Sequence, residues 1–167
     1  MIAGDDILAK IPAKILARAR RDGECLIWMG ARHPRGYGRV WDGERRRTAY
    51  PHRWAMEEIL GRELSRDELV DHICHTPPCL EPSHLRVCTS RQNAQNRSGP
   101  QRNGTSGFRG VTWSKAEGKW VAQVQCGNRN HRGGVYDTAA QAADAARALR
   151  LKLFTHSDAD RIAATDK

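Results

Sequence analysis

The sequence predicts an α+β fold in two modules, and three observations carry that prediction. The apolar stretch Leu69-Val70 ends in Asp71-His72, and a turn-rich loop, a second apolar stretch and a polar helical segment follow it. Residues 97–107 then have a tether's composition, rich in Gly, Ser and Asn and nearly free of apolar side chains. Beyond them, three stretches with strand patterning precede a long alanine-rich segment. The expected boundaries are a first module over 1–96, a linker over 97–107, a second module over 108–155 and a C-terminal tail over 156–167.

The elements follow in order from local pattern. Ile7, Leu8, Ile11, Ile15 and Leu16 recur at helical spacing within 5–21, with Pro12 as an interruption that predicts a kink or two short helices. Cys25 to Trp28, Tyr37 to Trp41 and the approach to Tyr50 read as short strands joined by Gly- and Arg-rich turns. His52-Arg53-Trp54 opens a helix that runs to about Leu60 and is ended by Gly61, with Trp54, Met56 and Ile59 as core. The strand 69–72 leads into a loop with Pro77, Pro78 and Pro82, then into Leu85-Arg86-Val87. Thr89-Ser90 offers an N-cap for a short polar helix over 91–97. Strand, loop, strand and helix make a compact unit that can gather Asp71, His72, His84 and Asn93 at one point.

Charge and cysteine usage narrow the class. In 167 residues the formal net charge is +9, which points to a polyanionic partner, nucleic acid before a membrane surface. From Pro82 to Ala116 there is no acidic residue, whereas Arg86, Arg91, Arg97, Arg102, Arg109 and Lys115 all occur. Five cysteines, an odd number, with no secretory leader at Met1–Asp6 fit a reducing cytosol better than a disulfide frame. No apolar run approaches the roughly 20 residues of a membrane span, so an intracellular protein is expected. Cys74-x₄-Cys79 lies one residue outside the tightest zinc-knuckle spacing, and no second close pair exists. Buried reduced thiols are therefore the expected state; a structural Zn²⁺, completed by Cys25, His75 or Cys88, is the alternative.

Asp-His at a strand end, Pro-x-His-Leu with its histidine twelve residues on, and Asn93 nine residues further resemble the HNH (ββα-metal) nucleases, in the branch of phage and mobile-element homing endonucleases. Phosphodiester hydrolysis needs an activated water, a cation on the phosphate and help for the departing oxygen. An imidazole that titrates near neutrality suits the general base, His72. One carboxylate and one amide oxygen make a sparse site for Mg²⁺ or Mn²⁺, with Asp71 and Asn93 as ligands. The resemblance makes His84 the catalytic motif's middle residue, bracing the loop and orienting His72. Since strand neighbours point to opposite faces, Asp71 and His72 share a site only if the strand bends. Gly30-Ala31-Arg32, Gly36-Tyr37-Gly38 and His52-Arg53 also recur in such relatives; His52-Arg53 is expected to pack or to touch phosphate rather than to take part in the chemistry.

In the second module, Arg109 to Trp113, Lys119 to Gln125 and Gly134 to Tyr136 are the expected strands, and Asp137-Thr138 caps a helix over 139–154. Arg-Gly-Val, Trp-x-Ala-x-Val, Gly-x-Tyr-Asp-Thr-Ala and the Ala-Ala-rich helix resemble the Apetala/ethylene-response-factor type DNA-binding domain. Alternation puts Trp120, Ala122, Val124 and Cys126 toward the helix. Arg109, Trp113, Gln123, Gln125 and Arg132 are expected on the opposite, DNA-reading face, where Arg and Gln match guanine and adenine edges. Arg97 and Arg102 in the tether are expected to touch phosphates.

The function so implied is a metal-dependent homing-type endonuclease on double-stranded DNA, monomeric, encoded by a phage or mobile element, with no membrane or small-molecule partner. A non-catalytic DNA-binding regulator that keeps an HNH fold is the competing expectation, and an RNA-directed nuclease a third.

Overall fold

A computed structural model describes residues 7–97, 99–100 and 104–165. The chain divides into two compact units, 1–93 and 94–167.

In the first unit Pro12 precedes a single helical turn, α1 (Ala13–Leu16). The expected helix does not continue to residue 21. β1 (Ala19–Asp22) instead pairs antiparallel with β2 (Cys25–Trp28), from Ala19 opposite Trp28 to Asp22 opposite Cys25. Backbone pairing with a later segment decides those residues against their local pattern. β3 (Val40–Asp42) and β4 (Arg47–Ala49) form a second hairpin, with Trp41 opposite Thr48. α2 (Pro51–Leu60) starts with Pro at its first position and ends on Gly61 at φ +65°, the left-handed cap glycine adopts readily.

β5 (Glu68–His72) and β6 (Leu85–Thr89) pair in register from Glu68–Thr89 to His72–Leu85, and α3 (Ser90–Gln95) follows. Thr89 and Gln92 cap α3 reciprocally: Thr89 Oγ1 accepts from the Gln92 amide at 3.3 Å and Gln92 Oε1 from the Thr89 amide at 2.9 Å. Two apolar clusters hold the unit together. Ile11, Ile15, Leu26, Trp28, Trp54, Ala55 and Leu80 form one; Met56, Leu64 and Leu85 form the other, between α2 and the β5–β6 hairpin. Trp28 is fully buried and its indole donates to Ala31 O at 2.9 Å. A Cβ at Gly30 would overlap that indole, and one at Gly38 would lie 2.7 Å from it. The Gly-rich stretches around residues 30–38 thus have a packing reason.

The second unit is an antiparallel sheet of β7 (Val111–Ser114), β8 (Lys119–Cys126) and β9 (Arg129–Tyr136), with α4 (Ala139–Leu153) across one face. Val111, Ala122, Ala142 and Ala146 are its buried contact, where small side chains allow close approach. Thr138 caps α4 in a full capping box with Gln141. Residues expected as a tail carry α5 (Asp158–Thr165), fixed to α4 by a buried ion pair. Arg150 Nε and Nη2 donate to Asp160 at 2.8 and 2.6 Å, and Arg150 Nη1 donates to Arg109 O at 2.8 Å. Among the described residues no helix is long and apolar enough to cross a membrane.

Candidate active site and metal centre

His72 ends β5 and is 6% exposed. Its Nε2 lies 3.1 Å from the carbonyl oxygen of Cys79. A carbonyl can only accept, so Nε2 carries the proton and Nδ1 the lone pair. Burial lowers the pKa of His72 below the ordinary imidazole value, against the opposing pull of the Cys79 carbonyl and the Asp71 charge. At neutral pH the ring is a neutral base of defined tautomer.

Around it is a cluster of rings that the sequence reading did not assemble. His52, near the start of α2, has its ring centroid 4.8 Å from that of His72. Tyr37 lies 5.6 Å from His52 and 5.9 Å from His72, and Tyr50 5.7 Å from His52. Burial, then the charges of His72 and Arg53, push the His52 pKa down to about 3. His52 is therefore a buried neutral imidazole in van der Waals reach of the base. The neighbouring Arg53 is structural: it pairs with Glu57 at 3.2 Å and donates to the carbonyls of Leu64, Ser65 and Glu68 at 2.6, 2.9 and 2.6 Å.

Asp71 sits opposite Arg86 in the β5–β6 register, and its charge acts on the neighbouring His72. Arg86 Nε and Nη2 donate to Asp71 Oδ2 at 3.0 and 2.7 Å, a partner that local pattern did not reveal. Asp71 still bears on its neighbours. Burial and its negative charge push the Cys88 thiol up to about 11, and the backbone amide of Asn93 bonds to the same thiol. Asp71, Cys88 and Asn93 are thus brought together, and Asn93 lines the groove that His52 also lines. Asn96, one turn further on, is buried in the second unit, where its Oδ1 accepts from the Asp158 amide at 3.1 Å.

His84 turns its Nδ1 to Cys25 Sγ and Cys79 Sγ, 3.6 Å from each. Cys25, Cys74, Cys79 and His84 place one donor atom each within 4.8 Å of one another. A tetrahedral zinc with Zn–S bonds of about 2.3 Å separates its ligands by roughly 3.8 Å, so the set fits a structural Cys₃His site. The Cys74–Cys79 spacing alone argued for reduced thiols; the missing ligands come from β2 and from the 3₁₀ turn Pro82–His84. Cys25 reaches them because the loop pairs along β2, Leu80 N donating to Leu26 O at 2.7 Å and Trp28 N to Pro78 O at 2.9 Å. Burial, more than any neighbour, pushes the Cys79 thiol up to about 12. A bound cation reverses that preference by stabilising the thiolate.

In the second unit, Gln123 and Arg132 face each other across β8 and β9 on the sheet face away from α4. Gln123 Nε2 donates to Thr112 Oγ1 at 3.1 Å, its Oε1 accepts from Asn130 at 2.9 Å, Gln125 donates to Gly127 O at 2.9 Å, and Arg132 pairs with Glu117. Two expected members of that face lie elsewhere. Trp113 sits opposite Trp120 in register, with ring centroids 5.1 Å apart, and directly opposed residues share a face. Trp113 is therefore at the edge of the helix-covered side. Arg109 donates to the carbonyls of Ala94, Gln95 and Arg97 and lies over the Phe154 ring, so its guanidinium ties the chain before the sheet to the unit. Arg97 is exposed and accepts there through its backbone; Arg102 lies outside the described residues.

A family model described as HNH endonuclease matches residues 49–95, the span of α2, the β5–β6 hairpin and α3. Protein 7.7 of Escherichia phage T7 is 34% identical over 73 residues, which cover 44% of this chain and 54% of that protein. Protein 2.8 of the same phage is 33% identical over 82 residues, 48% of this chain and 55% of that protein. The chain spans about half the length of the curated relatives it matches. No solved structure matches it. Residues 49–95 are therefore similar to the HNH endonuclease family, and that similarity covers the α2, β5–β6 and α3 segment alone.

Proposed function

We infer that this protein is a metal-dependent endonuclease that hydrolyses phosphodiester bonds in double-stranded DNA. The observation that carries the reading is the His72–Cys79 carbonyl bond inside the segment matching the HNH model. It fixes the tautomer in which Nδ1 takes a proton from water at the scissile phosphate. Asn93 and Asp71 supply an amide and a carboxylate oxygen, a donor set that fits Mg²⁺ or Mn²⁺, with Arg86 holding Asp71 in place through Oδ2. The cation, when bound, neutralises charge on the phosphate and the departing oxygen.

His84 then acts at one remove from the reaction. With Cys25, Cys74 and Cys79 it would hold a zinc, which would fix the loop carrying the Cys79 carbonyl that bonds His72. The second unit's likeness to Apetala/ethylene-response-factor domains, and its polar face with Gln123, Gln125 and Arg132, support a DNA-holding module. Both relatives belong to a phage, which supports a phage-encoded setting for this endonuclease.

The test is cleavage of supercoiled DNA with Mg²⁺ or Mn²⁺ and an EDTA control. Cation-dependent nicks or breaks that disappear in His72→Ala are expected. Cation-dependent cutting that survives in His72→Ala removes His72 from the mechanism, and absence of cutting across duplex DNA and RNA substrates overturns the nuclease reading.

A further inference from the structure

The first unit has a groove of about 880 Å³ beside Asn93 and His52. Five arginines line it against two glutamates. Two of the five are committed internally. Arg53 is held by Glu57 and three carbonyls, and Arg45 by Asp42, Glu57 and Glu63 at 3.5, 3.3 and 3.0 Å. The other three, Arg35, Arg47 and Arg66, are exposed and have no carboxylate partner among the described residues.

Each of the three stands on backbone that is itself fixed. Arg35 tips a tight turn in which His33 N donates to Tyr37 O at 2.7 Å and Gly36 N to His33 O at 2.8 Å, with Gly36 at φ +87°. Arg47 lies on β4 opposite Asp42, whose carboxylate is taken by the amides of Glu44 and Arg45 at 3.1 and 3.2 Å. Arg66 projects from a loop closed by Ser65 N donating to Glu68 Oε2 at 2.8 Å. Like charges gathered on rigid supports without counter-charges repel one another, and that repulsion is relieved by a polyanion. The planar guanidinium fork matches phosphate oxygens in pairs.

We propose that this groove is the bed for the sugar–phosphate backbone of the nucleic-acid strand entering the HNH site, with Arg35, Arg47 and Arg66 as its phosphate clamps. The strand's chemical identity rests on the nuclease reading, so binding is measured apart from cleavage. The first unit then holds its substrate by charge, whereas sequence reading falls to other surfaces.

The experiment uses the full chain, without added Mg²⁺ or Mn²⁺ and without chelator, with a fluorescein-labelled DNA duplex, its affinity followed against salt concentration. Each phosphate contact contributes about −0.9 to the log–log slope, so the triple variant Arg35→Gln, Arg47→Gln, Arg66→Gln should lose about 3 from the slope's magnitude. The corresponding triple lysine variant keeps the charges and should keep the slope. A control in which Lys10, Arg18 and Arg20, also exposed, are changed to Gln should stay near wild type. An unchanged slope in the groove variant, or an equal loss in the control, overturns the proposal. If the wild-type chain does not cut with Mg²⁺ or Mn²⁺ but the groove variant loses its slope, the nuclease reading fails and the groove stands. If it cuts and the slope is unmoved, the groove alone fails.

Discussion

The polar side chains of the two units are held in opposite ways. Around His72 they are buried and committed: imidazole to carbonyl, imidazole to thiols, carboxylate to guanidinium. On the β7–β9 sheet face they are exposed and bonded to one another, Gln123 to Thr112 and Asn130, Arg132 to Glu117. A buried group left without its partner carries the full cost of desolvation, whereas an exposed one exchanges its partner for water or a base edge at little cost. The first kind of setting suits chemistry that needs one geometry, and the second suits recognition that must sample many sequences.

The sharpest way to break this contrast is to remove the metal cluster. If Cys25, Cys74, Cys79 and His84 hold zinc, metal analysis will find about one zinc per chain, and binding at such a site is worth on the order of 10 kcal/mol. Cys79→Ser or a strong chelator should then unfold the first unit while the α4-backed sheet keeps its thermal transition. A metal-free chain with an undisturbed first unit would leave only packed thiols. Next in size is His72→Ala, expected to lower cleavage roughly 10²–10⁴-fold with DNA affinity nearly unchanged; a parallel loss of affinity would make His72 a packing residue instead.

His52 sharpens the comparison through pH. Its folded-state pKa is about 3 against an ordinary value near 6.5, so the unfolded chain binds the extra proton first. Its contribution to stability is complete above pH ~6.5 and is lost as pH falls toward about 3. Urea midpoints measured across that window should fall with acid in the wild type and fall less in His52→Gln. Equal slopes would mean that the His52 ring is protonated in the folded state. The smallest effect belongs to the exposed face. Gln123→Ala in the uncleaving His72→Ala background should relax discrimination at one base pair by roughly 1 kcal/mol, the low end for such a contact, because Gln123 first gives up Thr112 and Asn130. Competition among duplexes that differ at single positions measures it.

The resemblance to HNH nucleases was legible because the motif that carries it is local. Asp71-His72, Pro-x-His-Leu and Asn93 lie within one hairpin and the helix after it, and Thr89 and Thr138 declare their helices through caps that reach three residues. The apolar periods named most helices and strands of both units for the same reason; β1, the first half of β9 and α5 were not among them. What the tertiary structure decided were partnerships between segments far apart in the chain. Cys25 completes a cluster with Cys74 because β2 pairs with the loop at 78–80; His52 meets His72 because α2 packs on the β5–β6 hairpin. Arg109 likewise leaves the face its strand suggested for carbonyls at residues 94–97. Periodicity fixes which way a side chain points relative to its own backbone, and it carries no record of which other segment will be waiting there.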